Sequence, residues 1–151
     1  MPTLAKNKKG LFNYTVLEEF EAGIVLTGAE VKSVKAGRLS LVGSFVTINK
    51  KNDAWIKGLQ INAYPPAVKT QTKYDPIRDR KLLLHDKEIT HMQSTIRSGQ
   101  GLTIIPTLVY TKGSLIKVKV AIARGKRRID KRETIKKRET DRKIRQAMKR
   151  R

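Results

Sequence analysis

Residues 125–151, GKRRIDKRETIKKRETDRKIRQAMKRR, cannot join a packed core, and this limits what the rest of the chain has to build. They carry 14 Lys/Arg against 4 Asp/Glu, and their apolar side chains are Ile129, Ile135, Ile144, Ala147 and Met148. Burying so few groups does not offset the conformational entropy of ordering the segment, so it is expected to be unfolded when free. Yet it contains no Pro, a single Gly and a majority of helix formers. A segment that is basic, disordered alone and ready to form a helix reads as a tail that folds on a polyanion, with RNA first in line.

The basic character extends beyond the tail. The chain has a formal net charge of +21, of which the tail holds +10 and the first 124 residues +11. Such a body argues for a nucleic-acid partner before any motif is considered. Binding to a membrane surface requires an amphipathic helix with a broad apolar face, which the tail lacks. No stretch approaches the roughly 18 apolar residues of a membrane span. The start, MPTLAKNKKG, has positive charge but no apolar run behind it, so no secretory signal is expected. The absence of cysteine excludes disulfides, thiolate nucleophiles and cysteine-based metal sites. The cytoplasm is the expected compartment, and no membrane partner is expected.

Three parts are expected: a flexible basic leader over 1–12, one RNA-binding barrel over 13–124, and the tail over 125–151. The body alternates short apolar runs with turn signals. Strand-like runs lie at Tyr14–Leu26, Leu41–Ile48, Ala54–Ile56, Arg80–Leu84, Leu102–Tyr110 and Ser114–Ala123. Thr27-Gly28-Ala29-Glu30 opens a short helix that Gly37 closes with a left-handed cap. Asp86 is placed as the N-cap of a second helix that ends at Gly99. Lys50-Lys51-Asn52-Asp53 and Lys112-Gly113 are turns. Residues 62–80, NAYPPAVKTQTKYDPIRDR, form a long loop crossing a surface. About six short strands and two or three short helices, with no βαβ rhythm, suit a mainly β fold: a small closed barrel with peripheral helices. Closure removes the edges that short strands would otherwise expose.

Few residues carry chemistry. His85 and His91 stand six positions apart without cysteine or an acidic cluster, so no metal and no other cofactor is implied. His85, after a charged strand, is a candidate RNA contact; His91 is expected on the exposed side of its helix. Lys117 and Lys119 alternate with Ile116, Val118 and Val120, which puts the lysines on an outer strand face about 6.7 Å apart. That spacing can follow a phosphate backbone. Lys81, Arg80 and Arg124 add the same sign. Lys32 lies beside Glu30 on what reads as a solvated helix face. Glu21 is an acid amid positive charge: either an ion pair with a nearby Lys or Arg, or an acceptor for base amino and imino groups of RNA. The aromatic residues form no paired stacking platform, so recognition by charge and shape is expected.

Several strings together resemble the SsrA-binding protein family, also called small protein B. They are Phe20-Glu21-Ala22-Gly23-Ile24-Val25-Leu26 with Gly28-Ala29-Glu30-Val31-Lys32-Ser33, then Asp75-Pro76 with Arg78. Arg80-Lys81-Leu82-Leu83-Leu84, Glu88-Ile89, Tyr110, Lys117-Val118, Gly125-Lys126-Arg127 and Asp130-Lys131-Arg132 follow in order. The resemblance runs from about Asn7 to the end. It implies an oligonucleotide-binding-fold (OB-like) barrel and a non-enzymatic partner of transfer-messenger RNA in the rescue of stalled bacterial ribosomes. It implies binding to the tRNA-like domain of that RNA, with a tail that enters the empty message channel and folds there as a helix. Elongation factor Tu and alanyl-tRNA synthetase would act on the same RNA. By the same resemblance Glu21 and Leu83 meet RNA, and His85 stands where many relatives have Asn. Gly125, Lys126, Ile129, Asp130, Lys131 and Arg132, with Lys136 and Arg138, become ribosome contacts; Ile129 replaces a His or Tyr of relatives, so apolar packing replaces stacking there. The alternative is a basic ribosomal or ribosome-assembly protein bound to ribosomal RNA. An RNA-processing enzyme is disfavoured, because no nucleophile, metal cluster or His–acid pair is apparent.

Overall fold

The computed structural model describes residues 2–64, 74–126 and 128–149. Among them are nine strands and four helices. In chain order they are β1 (Thr3–Lys6), α1 (Lys8–Asn13), β2 (Tyr14–Ile24), α2 (Gly28–Lys35), β3 (Leu39–Ser40), β4 (Phe45–Ile48), β5 (Ala54–Lys57), β6 (Gln60–Ile61), β7 (Arg80–Leu83), α3 (Asp86–Ser98), β8 (Leu102–Lys112), β9 (Leu115–Gly125) and α4 (Arg128–Lys149).

The strands close into a ring. The order is β8-β4-β5-β7-β2-β9, and β9 returns to β8, with every pairing antiparallel. Closure leaves none of these six strands as a free edge, as short strands in a mainly β chain require. The closing contact between β4 and β8 is a single register pair, Val46 with Ile104. Alternate residues point inward and are apolar. Ala22, Val46, Ile56, Leu82, Ile104, Val118, Val120 and Ile122 are all buried, joined by Val34 of α2 and Met92 of α3. β3 and β6 form a separate two-stranded ribbon.

The N-terminal residues depart from expectation. Residues 1–12 read as a flexible leader, but Thr3–Lys6 pairs with Leu108–Tyr110 of β8, and α1 follows at once. The cause is a contact with the far end of the chain. The buried Asn7 donates its side-chain amide to the Pro106 carbonyl at 2.7 Å and accepts from the Gly10 amide at 2.9 Å, capping α1. α1 then lies against both β2 and β8, the two strands that flank β9. Ala121 and Ala123 of β9 are buried as well, on what the alternation assigns to the outer face.

α2 forms where its signals stand. The Thr27 hydroxyl accepts from the Glu30 amide and the Glu30 carboxylate accepts from the Thr27 amide, a complete capping box. At the other end Gly37 has φ 77°, its amide bonding to the Val34 carbonyl while the Arg38 amide reaches that of Ser33. α3 begins at Asp86, so its cap is His85 rather than Asp86; the Glu88 carboxylate accepts from the His85 amide at 3.1 Å. β9 continues through Gly125, which pairs with Tyr14, so the barrel ends one residue later than the expected 124. Of the 62–80 loop, residues 65–73 lie outside the described part of the structure.

Candidate nucleic-acid interface

Residues paired across antiparallel strands share a face, so the register alone builds the surface. One row crosses four strands: Tyr110 of β8, Lys117 of β9, Gly23 of β2 and Leu83 of β7. The next row carries Lys119 opposite Glu21, and the next Ala121 opposite Glu19. Since Ala22, Leu82, Val118 and Val120 point inward, these rows lie outside. Glu21, Lys117, Lys119 and Leu83 thus meet on one outer face, although they come from three separate stretches of chain.

Gly23 shapes this face by what it lacks. A Cβ there would lie 3.3 Å from the Leu83 Cβ. Its absence lets Leu83 lean over β2 beside an open groove. The groove is lined by Gly23, Ile24, Leu26, Val31, Leu83, Ser114 and the start of β9 from Leu115 to Lys117. Leu83 is 56% exposed and Leu115 59%, so an apolar ridge and a lysine border the same depression. His85 is exposed two residues beyond Leu83. Lys81 also points outward from β7, where its ammonium stands 3.5 Å from Asp53.

Glu21 has the ion pair with a lysine foreseen as one of its two readings, and a tyrosine partner that was not foreseen. The Tyr110 hydroxyl donates to its Oε2, and the Lys112 ammonium lies 3.3 Å from its Oε1. The hydrogen bond from Tyr110 holds the carboxyl below the usual range; slight burial opposes this, and Lys112 and Lys117 reinforce it. Lys119 stands 3.6 Å from Glu19. These exposed pairs are weak and screened by salt, so a stronger polyanion can displace them.

Two expectations about charge are corrected. Glu30 is not on a solvated helix face: its side chain is fully buried, as is that of Arg80. Arg80 Nε donates to Glu30 Oε2 at 2.7 Å, and its terminal nitrogens donate to the carbonyls of Leu59, Arg78 and Pro76 and to the Tyr74 hydroxyl. Arg78 forms a second pair with Glu30. Arg80 therefore adds no free positive charge to the outer face; it anchors α2 and the chain before β7 to the barrel. Burial pushes the Glu30 carboxyl up, but the hydrogen bonds from Arg78, the Thr27 amide and Arg80 outweigh it and leave the group at about 2.

The remaining sequence candidates are not all brought together. Lys32 is exposed on α2 next to Val31 of the groove wall, with its ammonium 5.6 Å from the Tyr64 ring centre. Arg124 is exposed near the far end of β9, about 23 Å along the strand from Lys117 by strand rise. His91 is exposed as expected, but its Nε2 lies 2.7 Å from Glu18 Oε2, a His–acid pair on the surface that the sequence had not made apparent. In the tail, the Lys126 amide donates to the Asn13 carbonyl at 2.8 Å, and α4 follows with Arg132, Lys136 and Arg138 exposed. Arg138 lies over the Phe12 ring of α1 at 5.4 Å. Residue 127 and the side chains of Ile129, Asp130 and Lys131 lie outside the described residues. The sequence reading missed the groove wall at Val31 and Leu115 and the two partners of Glu21, Tyr110 and Lys112. Tyr110 carried one signal: the Lys112-Gly113 turn already sets it opposite Lys117.

A closed antiparallel barrel with lysines, one carboxylate and an apolar ridge on a single outer face, continued by a basic helix, defines a nucleic-acid-binding barrel protein. The family model described as SmpB protein matches residues 4–150. An SsrA-binding protein of Levilactobacillus brevis is 46% identical over 147 residues, covering 97% of this chain and 90% of the relative. One of Oleidesulfovibrio alaskensis is 46% identical over 142 residues, covering 94% and 89%. A solved chain described with the words "tmRNA-SmpB: a journey to the center of the bacterial ribosome" superposes with a TM-score of 0.64 at 35% identity, covering 87% of this chain and 93% of that one. The chain belongs to the SmpB family, the SsrA-binding proteins.

The outward lysines lead to a first expected result. Lys119→Ala should weaken RNA binding and reduce the slope of log affinity against log salt by about 0.7 to 0.9, the contribution of one neutralised phosphate. Filter binding over a salt series measures it. A wild-type slope near zero would rule out electrostatic docking of this face.

Proposed function

We propose that this protein is an RNA-binding adaptor of trans-translation, which binds transfer-messenger RNA and works with it on the ribosome. What carries this is the family match over residues 4–150, supported by a solved relative whose description names that RNA and the ribosome. Its role is binding rather than catalysis. Among the described residues no helix is long and apolar enough to cross a membrane, and we assign the protein to the cytoplasm.

Within this role the face built by Glu21, Lys117, Lys119 and Leu83, flanked by Lys32, Lys81 and His85, takes the tRNA-like domain. Lysines meet phosphates, Glu21 accepts from base edges, and Leu83 gives an apolar surface against which a base or ribose packs. The tail enters the empty message channel. There its cations from Lys126 onward lie against ribosomal phosphates, while Arg124, exposed near the end of β9, is an RNA contact of the barrel. Elongation factor Tu and alanyl-tRNA synthetase act on the same RNA.

Recovery of bound RNA from cells tests the role. A single dominant tRNA-like species supports the adaptor; ribosomal RNA alone would instead make this a ribosomal or assembly protein. Glu21→Gln tests the site. The variant should melt within a few degrees of wild type, because its carboxylate is partly exposed, yet lose roughly tenfold in affinity for the tRNA-like RNA. A barrel that melts early while RNA affinity is unchanged would return Glu21 to a structural role.

A further inference from the structure

We propose that Tyr110 is the positioning residue for Glu21: buried in β8 between β1 and β9, it fixes the carboxylate through its hydroxyl and leaves Oε1 for an RNA donor. The inference rests on the reading that Glu21 faces RNA. Tyr110 is 4% exposed, with Thr3 of β1 opposite it on one side and Lys117 of β9 on the other. The Thr111 amide donates to the Pro2 carbonyl, which ties the strand end down beside it. From this buried position its hydroxyl donates to Glu21 Oε2.

The two contacts to Glu21 differ in kind. The Tyr110 hydroxyl comes from a residue only 4% exposed, whereas the Lys112 contact is 3.3 Å long and its side chain 57% exposed. An incoming amino or imino group of RNA displaces Lys112 from Oε1, and the Tyr110 bond survives the exchange. A free glutamate has to give up its rotamer freedom when RNA binds; this one has given it up on folding, so the binding step is spared that loss.

The test is a double-mutant cycle on the full chain, with Tyr110→Phe, Glu21→Gln and both together. Affinity for an RNA carrying the tRNA-like domain is measured across a salt series, alongside thermal melts. Tyr110→Phe should lose roughly five- to tenfold in affinity with its salt slope unchanged, since no phosphate contact is removed. In the Glu21→Gln background the same change should alter affinity by less than about twofold. Equal losses in both backgrounds, or no loss in wild type, would overturn the proposal. If Glu21→Gln binds as well as wild type, the positioning role falls together with the Glu21 contact, while RNA binding by the barrel stands. If wild type fails to bind this RNA, the adaptor role itself falls. A carboxyl carbon titration of the free protein gives a check that needs no variant. Glu21 should titrate below an ordinary glutamate, and an ordinary value would mean that the Tyr110 bond is not held in solution.

Discussion

Arg80→Met should destabilise the barrel by about 3–5 kcal/mol, because it takes a fully buried guanidinium away from the fully buried Glu30 carboxylate. The loss has two sources. The carboxylate keeps Arg78, whose side chain is 36% exposed, the Tyr74 hydroxyl and the Thr27 amide. The carbonyls of Leu59 and Pro76 and the Tyr74 hydroxyl lose donors in the interior. Adding Glu30→Gln to Arg80→Met removes the uncompensated charge, so the double variant should be less destabilised than Arg80→Met alone. Urea unfolding at constant m-value measures both. A loss below about 1 kcal/mol for Arg80→Met would show that the cluster is not a support of the fold.

The same cluster sets an acid limit. Glu30 is held at about 2 in the fold against an ordinary value of 4.5. A depressed carboxylate contributes stability above the unfolded value and loses it as pH falls through the folded one. The barrel should therefore weaken as pH drops from about 4.5 toward 2, and Glu30→Gln should flatten that part of the profile.

What could be read from the sequence follows from how far its signals reach. The β8–β9 hairpin was legible because its turn and alternation are local. The turn sets Leu115 opposite Lys112 and hence Lys117 opposite Tyr110. α2 was legible because Thr27, Glu30 and Gly37 carry both of its ends. β1 and α1 were not, because nothing within residues 1–12 shows that Asn7 bonds to Pro106. Glu30 was misplaced for the same reason. As a helix residue next to Lys32 it looks solvated, and only Arg78 and Arg80, about fifty positions later, make its burial tolerable. Glu21 stood out as an acid on a basic chain. Its setting did not, because Tyr110 reaches it only once β8 and β9 fold onto β2.

A chain ending at Lys126 should keep its barrel and most of its affinity for transfer-messenger RNA, yet fail to support tagging on stalled ribosomes. Ending there keeps the Gly125–Tyr14 pair and the Lys126 amide bond to Asn13, so the last strand stays whole. What is removed is α4. The described side chains of that helix are exposed, Ile135 and Ile144 included, and none joins the core. Its marked contact with the body is Arg138 over Phe12, an exposed cation–π pair that adds about 0.5–1 kcal/mol. A 22-residue helix with so little support holds its shape through a partner, so the isolated segment should be mostly coil by circular dichroism and gain helix on a polyanion. Charge reversal at Lys131 and Arg132 should reproduce the loss of tagging, because the tail has to lie against phosphates. Two measurements decide between the possible roles of the tail: tagging on stalled ribosomes, and affinity for the RNA. Full tagging without α4 would end the message-channel role. A large loss of affinity would move the RNA site from the outer face of the barrel to the tail.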